Sequence, residues 1–301
     1  MSWRTIYVER AHKLSLYLNN VKIEDGEQTF TVPISDIGMI IINNYRLHIS
    51  VQLLCKLSQA NVCVIICEKN GLPELAVQAL NGNYVTFRNQ ELQLNFPPEY
   101  KGLLWQVLVR GKIANQLHNL IFVQADAGVI NKMREYYDSV EFNDATNREG
   151  LAAKIYFRAL FGNRFSRERD SFDPINGALN YGYAILRAML ARSVMAKGLI
   201  SAQGIFHRSP YNHFNLVDDY LEVYRPIIDR WVYENMQDEF FTREKRLELI
   251  NALSMKVIFA GKKYSILQSM NYFVDNILNY MKNYDVSCII MPEVEILYDS
   301  E

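Results

Sequence analysis

The chain has 301 residues, half of them apolar and 22% charged, with 32 basic against 33 acidic residues for a net charge of −1. That balance excludes a disordered chain, and the near-neutral total leaves any polyanion-binding role to local patches. No apolar run reaches the ~20 residues that span a bilayer, and the charged start MSWRTIYVER lacks the apolar run of a secretion signal, so a cytoplasmic protein with no membrane association is expected.

The first eighty or so residues alternate in the manner of short strands. WRTIYVE, KLSLYL, VKIED and QTFTVP are separated by Ala11-His12, Asn19-Asn20 and Asp25-Gly26, which predicts tight hairpins. DIGMIIIN and NVCVIICE predict buried strands, and Cys63 and Cys67 in the latter are read as core packing, since a CxxxC without a second pair is weak for zinc. Between them His48–Gln59 has the spacing of a short amphipathic helix, and LPELAVQAL predicts one more strand.

Near Pro97-Pro98 the apolar period becomes helical. Helices are predicted over Tyr100–Asn119, Asn147–Phe161, Gly177–Lys197, Val217–Asn235, Thr242–Ala260 and Ile266–Asn283, and MPEVEILYDSE reads as a loosely attached acidic tail. The expected fold class is α+β: an N-terminal β-rich domain over residues 1–90, followed by a larger all-α domain over residues 91–301.

The stretch Gly204–Pro226, GIFHRSPYNHFNLVDDYLEVYRP, carries the most chemistry. His207 precedes Glu222 by fifteen positions, and no Asp or Glu occurs from Pro174 to Val217. Asp219 and Glu222 share a helix face, Asp218 suits a cap or first-turn acid, and Pro226 predicts a kink because it cannot donate to the Glu222 carbonyl. Such a cluster at a loop-to-helix junction can hold a divalent cation, with Glu149 in NREG as a further ligand if it folds back. A helix start capped by Asn143, Asp144 or Thr146, with Glu149 as its first-turn acid, accounts for that glutamate by itself, and His213 competes with His207. Two carboxylates and an imidazole suit Mg²⁺ or Mn²⁺, the imidazole favouring Mn²⁺.

Basic residues flank that site. From Arg148 to Arg169 there are six against two acids, a net of +4, and the loop GNRFSRERD is the stronger phosphate-contact candidate. The DNA-contact set is Arg148, Arg164, Arg167, Arg169 and Arg208. Asn176, Asn180, Tyr181 and Tyr183 suit either substrate contact or packing. No nucleotide-binding GxxxxGK[ST] loop and no Ser/His/Asp or Cys/His nucleophile arrangement is present.

Four segments, NREGLAAKIYFRALFG, INGALNYGYAILRAMLARSVMAKGLI, GIFHRS and DDYLEVYRPIIDRWVYE, together resemble the CRISPR-associated adaptation integrase, and the likeness covers nearly the whole chain. The MSWRT opening and the NREG segment look most like its type II-A branch. The resemblance implies a metal-dependent DNA endonuclease that joins prespacer 3′-hydroxyl ends to repeat phosphodiesters. Its metal ligands fall on Glu149, His207 and Glu222, with Asp219 at a further acidic position of the metal site. It also implies a homodimer formed through the N-terminal domain and a small ferredoxin-like partner bridging two dimers. Further type II-A adaptation proteins and the RNA-guided effector nuclease, together with double-stranded prespacer and repeat DNA, complete the implied partners. The alternative is a non-catalytic DNA-binding scaffold subunit of a defence or repair complex, its acids serving only as caps.

Overall fold

The computed structural model describes residues 4–26, 28–69, 71–77, 85–168, 173–236, 240–253 and 255–297. They belong to two compact units, Met1–Tyr84 and Val85–Glu301.

The first unit holds β1 (Arg4–Val8), β2 (Lys13–Tyr17), β3 (Asn20–Asp25), β4 (Gln28–Pro33), β5 (Ile37–Ile42), β6 (His48–Ile49), α1 (Val51–Gln59), β7 (Cys63–Cys67) and β8 (Pro73–Val77). One sheet runs β1-β5-β7-β8, with β1, β5 and β7 parallel and β8 antiparallel. Every residue of β5, IGMIII, is buried, as a central strand of a sheet covered on both faces requires. A second sheet, β4-β3-β2-β6, is an antiparallel meander at its β2-β3-β4 end; Gly26 turns there at φ +58°. The Ala11-His12 link makes no hairpin: β1 pairs in parallel with β5 and the chain crosses to the other sheet. Leu14, Val21, Ile37, Ile40, Leu53 and Leu57 share the core of this unit. Cys63 and Cys67 are buried there, and burial pushes the Cys67 thiol up to about 11.

The second unit begins with α2 (Thr86–Leu94), α3 (Pro98–Phe122), α4 (Ala127–Asp138), α5 (Arg148–Phe161) and α6 (Pro174–Ala196). It continues through α7 (Asn215–Leu221), α8 (Arg225–Asn235), α9 (Arg243–Ala252), β9 (Lys256–Phe259), β10 (Lys262–Ser265), α10 (Ile266–Asn283) and β11 (Glu293–Leu297). The expectation of a purely helical unit is corrected: β10-β9-β11 form a small antiparallel sheet. The predicted helix Thr242–Ala260 ends at Ala252 because Val257-Ile258-Phe259 is a strand closed by Ala260-Gly261, both at positive φ. The expected loose tail supplies β11, which pairs with β9. The segments α2 and α4 carry no element in the sequence reading; α4 starts at an Asp126 cap accepting from Gly128 N at 2.8 Å.

Helix α3 is the axis of this unit, packed by α4, α5, α8 and β11. Its buried face mixes Leu104, Trp105, Leu108 and Ile113 with Lys112, Asn115, Gln116 and Asn119. Those polar residues answer a break elsewhere. The predicted helix Val217–Asn235 is split into α7 and α8 at Glu222–Tyr224, where Pro226 has no N–H to give to the Glu222 carbonyl. Side chains on α3 reach the backbone around the break: Asn115 Nδ2 donates to Val223 O at 2.8 Å, and Asn119 Nδ2 to Pro226 O at 2.8 Å. Close approach is needed here, since a Cβ on Gly111 would lie 2.8 Å from Met291 Sδ and 3.2 Å from Val223 Cγ1. No helix among the described residues is long and apolar enough to cross a membrane.

Candidate active site

The break between α7 and α8 leaves Glu222 as the residue that ends α7, buried and facing α3. Its Oε2 accepts from Lys112 Nζ at 2.5 Å, and its Oε1 lies 3.1 Å from Arg225 Nε. Burial alone would raise the Glu222 carboxyl; Arg225 and Lys112 overcome that and bring it down to about 2. Glu149 opens α5, yet the capping is done by its neighbours. Asn147 accepts from Gly150 N at 3.3 Å, and the Asp144 carboxylate takes Arg148 N at 2.7 Å and Glu149 N at 3.1 Å. The Glu149 carboxylate is left free to reach the same Lys112 ammonium from the other side. Burial works against the charge on Lys112, but the two carboxylates outweigh it and raise its pKa.

The imidazole is built differently. Asp219 is fully buried and its oxygens receive four donors. Ile205 N and Phe206 N reach Oδ2 at 2.6 and 3.0 Å, while His207 N and the His207 ring Nδ1 reach Oδ1 at 3.1 and 2.6 Å. The segment Gly204–His207 therefore wraps around one carboxylate. Gly204 permits the wrap, since a Cβ there would collide with the His207 carbonyl and come 2.9 Å from Asp219 Oδ2. With Nδ1 committed, the ring keeps Nε2 for a ligand, the arrangement by which a carboxylate orients a metal-binding histidine. The hydrogen bond to Asp219 raises the His207 pKa; burial opposes it, and Asp219 and Glu222 add to it. Phe206 stacks on Trp105 at 4.4 Å between ring centroids, and the imidazole meets Trp105 edge-on at 5.9 Å. The preceding turn is pinned by Gln93 of α2, which donates to Ile200 O at 3.0 Å and Gln203 O at 2.9 Å.

A cavity of about 470 Å³ opens beside His207, with Lys101, Arg208, Ser209 and Asn215 in its wall. Burial, then the nearby Arg208 charge, lowers the Lys101 pKa, so two cations face the opening together. The other expected DNA contacts divide. Arg164 is exposed in the loop after α5. Arg148 lies over the Tyr136 ring at 5.5 Å. Arg167 is spent internally, its guanidinium donating to Asn176 Oδ1 at 2.9 Å and Asn180 Oδ1 at 2.6 Å while lying over Tyr183. It fastens the loop to α6. Arg169 lies outside the described residues. Asp218 is the first-turn acid of α7 and not its N-cap; it accepts from Arg187 at 2.8 Å and Asn212 at 2.7 Å.

The family model for CRISPR associated protein Cas1 matches residues 6–256. A curated relative, the CRISPR-associated endonuclease Cas1 of Neisseria meningitidis serogroup C (strain 8013), is 33% identical over 98% of this chain and 97% of its own length. The chain belongs to the Cas1 family. Among solved structures, a casposase bound to integration product superposes with a TM-score of 0.73 at 20% identity, covering 95% of this chain and 92% of that one. A chain of a Cas6-RT-Cas1–Cas2 complex matches with a TM-score of 0.71 at 17% identity, over 96% of this chain and 36% of the longer one. At those identities the likeness establishes the Cas1 fold alone.

Of the residues expected to gather, Glu149 and Glu222 meet on one cation, and His207 and Asp219 meet each other. Among the described residues no three His, Cys, Asp or Glu side chains are close enough together to hold a metal ion. The donor set still fits a divalent ion in identity and charge. Two carboxylates already close on a single positive centre, and His207 is near enough to Glu222 for each to shift the other's pKa. Lys112, Asn115, Gln93 and Lys101 were missed as site residues. The signal for Lys112 and Asn115 is the polar set Lys112, Asn115, Gln116 and Asn119, placed i, i+3, i+4, i+7 on a largely apolar helix face; Gln93 and Lys101 carry no such signal.

Proposed function

We propose that this chain is a metal-dependent DNA endonuclease and integrase of CRISPR adaptation. In this reading it joins the 3′-hydroxyl of a prespacer strand to a repeat phosphodiester, one P–O3′ bond forming as another breaks. The observation that carries it is the carboxylate pair, Glu149 from α5 and Glu222 from the α7–α8 break, closing on one cation beside an imidazole whose Nδ1 is held by Asp219. Glu149, Glu222 and His207 Nε2 would hold Mg²⁺ or Mn²⁺, which when bound supplies Lewis-acid stabilisation of the attacking and leaving oxygens. Asp219, with four donors already on it, acts as a positioning residue and not as a ligand. Lys101 and Arg208 line the cavity at His207 and would hold the phosphates on either side of the reacting one.

The substrates in this reading are double-stranded prespacer and repeat DNA. The protein works as a homodimer formed through the β-rich unit, two dimers bridged by a small ferredoxin-like partner, in the cytoplasm. The type II-A assignment, with its further adaptation proteins and the RNA-guided effector nuclease, rests on the MSWRT and NREG segments.

The test is strand transfer of a labelled prespacer into a repeat-containing plasmid by purified protein with Mn²⁺. Glu149→Gln, His207→Gln and Glu222→Gln are each expected to abolish transfer while DNA binding persists. Normal transfer by any one of them refutes the ligand assignment.

A further inference from the structure

The charges around the carboxylate pair cancel. Lys112 and Arg225 contribute +2, Glu149 and Glu222 contribute −2, and Lys112 and Glu222 are both buried. A divalent ion added to this balanced quartet would leave +2 in a site largely shielded from water, where uncompensated charge is costly. We propose that Lys112 is a built-in stand-in for the catalytic cation: its ammonium holds Glu149 and Glu222 together before the metal arrives and must leave for the metal to enter. Loading is then an exchange of one cation for another. One positive charge departs and two arrive, so the loaded site carries +1, which a single phosphodiester neutralises. This rests on the reading of Glu149, His207 and Glu222 as metal ligands.

Geometry selects Lys112 over Arg225 as the group that leaves. Lys112 touches both carboxylates, so a metal between them needs the space its ammonium fills. Arg225 touches Glu222 alone, lies over the Tyr183 ring at 4.8 Å and sits in the first turn of α8. A lysine also has the means to move, since its ammonium is a point charge on a flexible four-carbon stem. Asp219 is not an alternative acceptor for the displaced ammonium because its four donors occupy it.

The experiment is Mn²⁺ titration of the full-length protein by calorimetry. Lys112→Met keeps the stem and removes the competing charge, so it is expected to bind Mn²⁺ about tenfold more tightly than wild type. Its melting temperature should be lower than wild type in EDTA and recover with Mn²⁺. Lys112→Arg, whose fork can hold both carboxylates, is expected to bind Mn²⁺ more weakly than Lys112→Met. A Lys112→Met affinity equal to or weaker than wild type overturns the exchange. Glu149→Gln and Glu222→Gln separate the two ideas. If they bind Mn²⁺ as wild type does, the ligand reading fails. If they lose binding while Lys112→Met matches wild type, only the exchange fails. Should Lys112→Met not fold, amine labelling of wild type followed by mass spectrometry decides. Lys112 should be protected without Mn²⁺ and label several-fold faster with it, while exposed Lys132 labels equally in both. Unchanged labelling of Lys112 contradicts the exchange.

Discussion

The two halves of the site are made by opposite means. His207 is held by a carboxylate that is itself held by three backbone N–H groups, so its position is set by the main chain of Ile205–His207. Glu149 and Glu222 are held by side chains alone, through Lys112 and Arg225. The backbone-held half is rigid and its charge is committed. The side-chain-held half is balanced by groups that can move, which is what a site that must accept a cation needs. In the proposed reading one half orients and the other exchanges.

Breaking the rigid half should cost most. Asp219→Ala leaves three backbone N–H groups and an imidazole without their acceptor, an expected loss of about 3–5 kcal/mol in chemical denaturation. A loss under ~1 kcal/mol would mean that the carboxylate is not the keystone of that loop. Glu222→Gln follows at about 3 kcal/mol, because Lys112 keeps Glu149 while Arg225 loses its carboxylate. This variant also has a pH signature. The Glu222 carboxyl sits at about 2 against its ordinary 4.5, so its stabilisation is complete above 4.5 and fades as the pH falls towards 2. Wild type should lose stability across that window and Glu222→Gln should lose less; identical acid profiles would break the link.

These effects were only partly legible in the sequence. The strands of the first unit follow from alternation and from the all-apolar IGMIII, and α5, α6 and α10 follow from their 3.6-residue spacing. The kink before Pro226 was legible too, because proline removes a donor at a known offset. The strand β9 was hidden because Lys256–Phe259 continues an apolar spacing that a helix shares, and only the Ala260-Gly261 turn betrays it. Glu149, His207 and Glu222 were recognisable as candidates, but Lys112 lies 37 and 110 positions from its two partners, and no spacing rule connects such residues. Asp219 shows the converse. Its place beside Glu222 marks an acid near the site, whereas its use as a backbone acceptor depends on how Gly204–His207 turns back upon it.

Smaller effects sharpen the contrast. The His207 pKa is raised above its ordinary 6.5, so the ring–Asp219 ion pair stabilises fully below 6.5 and is lost as the pH rises through the raised value. The ring is 43% exposed, and solvent screening holds this contribution to under about 1 kcal/mol. His207→Gln should remove that slope from a stability–pH series, and a slope that survives belongs to another group. The arginines should separate by role. Arg208→Ala is expected to lower the salt dependence of DNA binding by about one unit of slope with stability within ~0.5 kcal/mol. Arg167→Ala should cost about 1–2 kcal/mol of stability and leave the slope alone. The reverse pattern would place the phosphate path over the Arg167 loop.

The central claim, that three side chains from α5, the Gly204–Asn215 loop and the α7–α8 break share one divalent ion, is met most directly by anomalous diffraction from Mn²⁺-soaked crystals. The account predicts one strong peak within roughly 2.0–2.3 Å of Glu149, Glu222 and His207 Nε2. A peak elsewhere, or none while Lys112 still bridges the two glutamates at saturating Mn²⁺, would contradict it.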